Sequence, residues 1–282
     1  MPLAVNTVLE GVSDSVFAIA AEAAPSEHSR CGVRILSNMC PERRAKASFR
    51  VPATELAYKG LSGAQVGRRI VETWRFAFDD PFRAVTHNKG IMNGIDAVAV
   101  ATGQDWRAIE VGAHAYSTAG LGTDVYAPLS AYSWHVPEGG MEEEGWLEGV
   151  LEMPISCGTV GGAVASHPSY ALCHSILGFP DASRLSQIIA AVGLAQNLAA
   201  IRAMATEGIQ RGHMSLHARN VAVTALGGPD AVSALNAGPA QGEGTRRLEM
   251  IASHMAESGA SVSVVSPAMM DLVFDSRNLS EI

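Results

Sequence analysis

The sequence predicts an α+β fold. Long segments of helical apolar periodicity dominate, the longest over 184–207. Shorter β-type runs stand at 33–36, 47–51 and 146–155. The 282 residues are 48% hydrophobic and 17% charged, a globular composition with enough apolar material for a sizeable core.

The elements follow in order. Asn6, Thr7 and Glu10 open a helix, with Thr7 and Glu10 at capping-box spacing, and Val8, Val12, Val16 and Ile19 give it an apolar stripe. Strands are expected at Val33–Leu36 and Ala47–Val51, either side of a charged turn with Glu42, Arg43 and Arg44. One helix and two strands make a poor core alone, so this part reads as a piece of a small α+β module. A second capping box, Ser62 to Gln65, starts a helix through Phe78, with Val66, Ile70 and Trp74 on one side and Pro81 as the stop. Helices follow over 87–101 and 105–119, punctuated by Gly103. Residues 120–144, rich in Gly, Pro, Tyr and acidic residues, read as a long loop or hairpin arm. A strand at 146–155 and a glycine turn at 158–162 precede the long helix, which Gly208 stops. Residues 227–244 are loop-like, and a last helix (245–258) and strand (261–265) close the chain.

The formal net charge is −8 and no long basic run occurs, which excludes a nucleic-acid surface as the main function. A local basic pocket for an anionic small molecule remains open. No uninterrupted apolar stretch of roughly 18 residues predicts a membrane span. Met1–Glu10 lacks the basic start and apolar segment of a secretory signal. Cys31, Cys40, Cys157 and Cys173 have no metal-type spacing, so reduced thiols in a cytoplasmic protein and no bound metal are expected.

The run His87-Asn88-Lys89-Gly90-Ile91-Met92-Asn93-Gly94-Ile95-Asp96 carries the first candidate chemistry. Lys89 and Asn93 are four apart and share a helix face, and Gly90 and Gly94 leave little bulk beside them. A solvated surface lysine is the ordinary alternative. Asp105 reads either as an N-cap or as a carboxylate that pairs with Lys89. His217 lies in Arg211–Asn220, where a polar residue at a helix end is equally natural. The turn Gly158-Thr159-Val160-Gly161-Gly162 is weak alone, since such turns often serve geometry.

In combination these strings say more. The run 87–96, Val111–Tyr116, the turn 158–162, Ala191–Asn197 and Ala205–Asn220 together resemble the second half of a class II (bacterial-type) 3-hydroxy-3-methylglutaryl-CoA reductase. The resemblance covers roughly 6–222. It implies the family's large domain with a long central helix, a remnant of the small ferredoxin-like cofactor domain, and a two-step reduction of a CoA thioester to mevalonate. By resemblance, Lys89 stabilises the developing oxyanion, Asp105 hydrogen-bonds that lysine, and His217 protonates the departing thiolate. Asn93 joins the network and Arg83 holds the acyl carboxylate. Expected domains are 1–60 (cofactor-type remnant), 61–222 (catalytic core) and 223–282 (divergent C-terminal segment).

The family's earlier segment, with its catalytic glutamate, has no match, so the chain reads as an N-terminally truncated homologue. At the place of the family's Asp-Ala-Met-Gly dinucleotide run stand Met1-Pro2-Leu3-Ala4-Val5-Asn6, leaving Asn6 as the one cofactor-binding candidate. NADH or NADPH is the implied cofactor, and a cofactor-free reaction the alternative. The readings left open are a reductase completed by a second reductase-like subunit, a repurposed cyclase, isomerase or lyase, and a non-catalytic partner of a full-length homologue. A homodimer or higher oligomer is expected.

Overall fold

The computed structural model describes residues 2–23, 33–122 and 125–208, with a few isolated positions beyond. The chain divides into two compact units, 1–201 and 202–282. The first holds helices α1 (Pro2–Ala23), α2 (Ala53–Leu56), α3 (Gly63–Asp79), α4 (Pro81–Ala101), α5 (Trp106–Ala115), α6 (Ala163–Ser166) and α7 (Pro168–Ile176), and most of α8 (Ala182–Ala205). It also holds strands β1 (Arg44–Pro52), β2 (Ser130–His135) and β3 (Trp146–Pro154). The fold is α+β, as the sequence predicts. In the second unit, α8 ends where the Gly208 N–H bonds the Ala203 carbonyl at 2.7 Å, with Gly208 in the left-handed region at φ 87°.

The sheet has the order β1-β3-β2, antiparallel throughout. Alternation sorts its faces. Leu147, Leu151 and Met153 of β3 and Tyr132 of β2 are buried with Ala45 of β1 on one face. Arg44, Lys46 and Arg50 of β1 lie on the other, where Arg44 pairs with Glu152 at 2.7 Å. Helix α3 packs on β2 and β3 through Ile70, and the Trp74 indole N–H donates to the Ser130 carbonyl at 2.7 Å. Helix α4 runs against α3, α5 and α7. Its Gly94 lies so close to α8 that an added Cβ would stand 3.1 Å from the Val192 carbonyl oxygen. Ile91, Ile95, Ile109, Leu185 and Ile189 are fully buried beside that crossing. Each such side chain contributes about 1.5–3 kcal/mol.

The capping box at Ser62 forms as expected, with the Ser62 N–H donating to Gln65 Oε1 at 2.9 Å and the Gln65 N–H to Ser62 Oγ at 3.3 Å. Pro81 stops α3 and also starts α4 as its first residue, where a missing N–H costs nothing. Several expectations differ from what the structure shows. Helix α1 begins at Pro2, so Thr7 and Glu10 lie inside it and form no cap. Val33–Leu36 is no strand: it finds no ladder partner among the described residues, and Arg34 ties it to α1 by an ion pair with Asp14 at 2.7 Å. The region 120–144, read as a long loop or hairpin arm, contains β2, which pairs antiparallel with β3 as a hairpin arm would. The turns around β2 hid the alternation of Ser130, Tyr132 and Trp134. Helix α5 also ends earlier than expected, passing at 116–120 into a π-helical turn. All nine residues of β1 pair with β3, which lies beyond the boundary expected near residue 60. The helix and strand expected over 245–265 lie outside the described residues.

Candidate functional site

Helix α4 presents two opposite faces. Ala84, His87, Asn88, Ile91, Met92, Gly94, Ile95 and Ala99 are buried. Lys89 and Asn93 are exposed, together with Phe82, Val85, Ala97 and Val100. The helix's rotation about its own axis is set by the two residues before Lys89. The Asn88 amide donates to the Ala127 carbonyl at 2.9 Å and to Ser117 Oγ at 3.1 Å, and its Oδ1 accepts from the Leu129 N–H at 2.9 Å. His87 Nε2 lies 2.7 Å from Ser130 Oγ. With His87 and Asn88 held inward, Lys89 must point out, and Asn93 follows it one turn on. Beside them, a Cβ added at Gly90 would meet nothing within 4 Å among the described residues.

His87 belongs to a buried network that the sequence did not reveal. Ser130 Oγ donates to Asn197 Oδ1 at 3.0 Å, and the Tyr132 hydroxyl donates to the same oxygen at 2.8 Å. Since Ser130 spends its proton on Asn197, it accepts from His87, which places the imidazole proton on Nε2. His87 Nδ1 is enclosed with no partner among the described residues. Burial, helped by the Arg83 charge, pushes the His87 pKa down to about 4, so the ring is neutral. The network joins α4, β2 and α8. His87 and Asn197 both stand in quoted sequence runs, but only the chain's path brings them together.

The structure places the other candidates as follows. Arg83 is half-buried one turn before His87, and burial lowers its pKa. Asp105 is the N-cap of α5: its Oδ1 accepts from the Ala108 N–H at 3.2 Å and lies 3.8 Å from Arg107. The expected Lys89–Asp105 pair does not form among the described residues. The Asp105 carboxylate is engaged at its own helix end, and a lone ion pair between exposed side chains is worth too little to hold two chains together. His217, with the whole run 211–220, lies outside the described residues. Asn6 sits in α1 with Oδ1 enclosed and without a partner among them.

No metal-type cluster of His, Cys, Asp or Glu occurs among the described residues. For a dinucleotide, a helix N-terminus must offer backbone N–H groups to phosphate. Helix α1 opens on Pro2, which has none, and its first glycine is Gly11.

A sequence model described as hydroxymethylglutaryl-coenzyme A reductase matches residues 4–218. The 3-hydroxy-3-methylglutaryl-coenzyme A reductase of Archaeoglobus fulgidus is 43% identical over 224 residues, covering 79% of this chain and 46% of that protein. A class II reductase structure from Streptococcus pneumoniae, bound to NADPH in open conformations, aligns with a TM-score of 0.60 and 34% identity. That alignment covers 95% of this chain and 57% of the other. A second structure of the Streptococcus pneumoniae enzyme is 38% identical, with a TM-score of 0.59 over 71% of this chain and 50% of that one. The chain spans about half the length of the curated relatives it matches. The family match over three quarters of the chain, with these relatives and structures, makes it a member of the class II 3-hydroxy-3-methylglutaryl-CoA reductase family.

Proposed function

We propose that this chain supplies the oxyanion side of a class II reductase site acting on a CoA thioester of the 3-hydroxy-3-methylglutaryl type. The observation that carries the reading is the exposed Lys89–Asn93 face, held outward by buried His87 and Asn88, with no described group within 4 Å of a Cβ added at Gly90. Lys89 is one of three lysines in the chain, with Lys46 and Lys59. Lys46 lies 4.0 Å from Glu152 and Lys59 lies over the Tyr58 ring, whereas Lys89 has no ion pair among the described residues. In water its charge is worth only about 1 kcal/mol to an oxyanion 4 Å away, rising to about 4 kcal/mol once the face is covered. Covering the face, by substrate and by a second polypeptide, is thus what makes the lysine effective. Closure must also bring up Asp105, which lies at the start of the neighbouring helix. Arg83 takes the acyl carboxylate. A histidine of 211–220 protonates the leaving thiolate, since imidazole is a usable acid near neutrality. That run holds both His213 and His217. The carboxylic acid of the reductase site and the nicotinamide contacts are supplied by sequence outside these 282 residues. The working form is a dimer or an assembly with a second reductase-like subunit, in the cytoplasm.

The test mixes the chain with HMG-CoA and NADPH or NADH, alone and with the N-terminal half of a relative, and follows nicotinamide absorbance. Oxidation is expected only in the mixture, and Lys89→Ala should abolish it. His217→Ala and His213→Ala, made separately, identify the acid. Full oxidation by Lys89→Ala and Asn93→Ala overturns the reading. Turnover without any nicotinamide would instead identify a non-redox cyclase, isomerase or lyase.

A further inference from the structure

The turn 102–105 joins α4 to α5 and ends on Asp105. Thr102 is the C-cap of α4, so its carbonyl lies beyond the last bond of the helix and needs a donor from elsewhere. Helix α7 packs on α4 and reaches this turn with two side chains. A Cβ added at Gly103, whose φ is +71°, would stand 2.7 Å from Tyr170 Cδ2. His174 Nε2 lies 3.1 Å from the Thr102 carbonyl oxygen, and both residues are buried. A carbonyl only accepts, so the imidazole proton stands on Nε2 and His174 is the donor. The Gln104 amide donates to the same oxygen at 2.9 Å, which engages both of its lone pairs. Gln104 Oε1 in turn accepts from the Gly158 N–H at 2.8 Å, at the start of the glycine turn 158–162. One carbonyl, three residues before Asp105, thus gathers α7 and the glycine turn.

We propose that His174 is a positioning residue for Asp105: its Nε2–H, together with the Gln104 amide, braces the turn 102–105 and holds Asp105 at one place relative to α4, the helix that carries Lys89. His174 touches no reacting atom and acts through the Thr102 carbonyl. This rests on reading Lys89 and Asp105 as parts of the reaction site. A residue that only filled space here would be apolar, because burying an imidazole costs free energy unless its polar atoms find partners. With both donors in place the Thr102 carbonyl has one orientation. With one donor gone the peptide plane can swing, and Asp105, three residues on, moves with it. A misplacement of about 1 Å in a catalytic group can cost on the order of a hundredfold in rate.

Two variants separate the donor from the bulk. His174→Gln keeps an N–H donor, whereas His174→Leu keeps apolar volume and removes the donor. Amide hydrogen exchange is read at Gly158, whose N–H is held by Gln104, and at Ala108, whose N–H is held by Asp105 Oδ1. In His174→Leu both amides should exchange about fivefold or more faster than in the wild type, with the amides of α3 unchanged. In His174→Gln both should stay within about twofold of the wild type. A packing role predicts the reverse order, Leu near the wild type and Gln faster. That order, or equal rates in the two variants, overturns the proposal. In the reconstituted assembly, kcat should fall about tenfold or more in His174→Leu with KM for HMG-CoA unchanged, and recover in His174→Gln. An equal loss of kcat in both variants overturns it as well. Nitrogen-15 spectra of the unmodified protein cover the case of a variant that does not fold: His174 found with its proton on Nδ1 overturns the brace. Hydrogen exchange uses no substrate, so an assembly that stayed active with Lys89→Ala would sink the site reading while leaving the brace standing.

Discussion

Asp105 shows how one carboxylate can carry two roles that substitution separates. It caps α5, and an asparagine can do the same. Asp105→Asn should keep stability within about 0.5 kcal/mol, and Asp105→Ala should cost about 1 kcal/mol, both read by urea unfolding. If Asn also silences the reconstituted assembly, the charge is needed for chemistry beyond the cap. Lys89 is exposed and makes no ion pair among the described residues, so Lys89→Ala should change stability by less than about 0.5 kcal/mol in the same experiment. A larger loss would mean that the lysine is structural. At this scale the sequence was informative about identity and poor about state. The spacing of Lys89 and Asn93 located the face. That Lys89 and Asp105 do not pair with each other among the described residues could not be read, because two residues sixteen apart on different helices meet or miss according to how those helices are set.

Among the elements, α4 is fixed by two kinds of contact, a close crossing with α8 and a buried polar network. At the crossing, a Cβ on Gly193 would stand 2.7 Å from Ile95 Cγ1, the movable end of a side chain. A Cβ on Gly94 would stand 2.9 Å from Gln196 Cβ and 3.1 Å from the Val192 carbonyl oxygen, which move far less. Gly94→Ala should therefore cost more than Gly193→Ala, with about 1–3 kcal/mol for the former, measured by denaturant midpoints. In the network, Asn197→Ala would strand the Ser130 and Tyr132 hydroxyls, both buried. A loss of about 2–4 kcal/mol is expected, and a loss below about 1 kcal/mol would show that the hydroxyls find other partners. The helices α3, α4 and α8 were legible because their apolar stripes and caps are local. Strand β2 was not, since it is six residues long and bounded by turn-forming sequence. What makes it a strand is β3 on one edge and α3 above it.

For the whole molecule, the pH dependence of stability offers a test of the core. His87 is held neutral down to about pH 4 by burial and by Arg83. A base with a depressed folded value stabilises fully above its unfolded value, near 6.5, and loses that contribution as pH falls toward 4. It should account for roughly 3 kcal/mol of the acid limb between those limits, and His87→Gln should flatten it in denaturant titrations. An unchanged limb would show the ring to be more hydrated than its burial implies. The apolar stripe of α1, with Val8, Val12, Val16 and Ile19 in order, was legible in sequence. In the described chain all four are exposed. Periodicity reports which residues share a face and says nothing about what that face meets. The same division runs through the protein. The sequence by itself determined the family, the helices and the identity of the Lys89 run, because these depend on neighbours three or four positions apart and on residue strings. The tertiary structure alone decided that β1 joins the sheet of β2 and β3, that His87 is buried and neutral, and that Lys89 is exposed. Each depends on groups distant in the chain, which only packing brings within reach of one another.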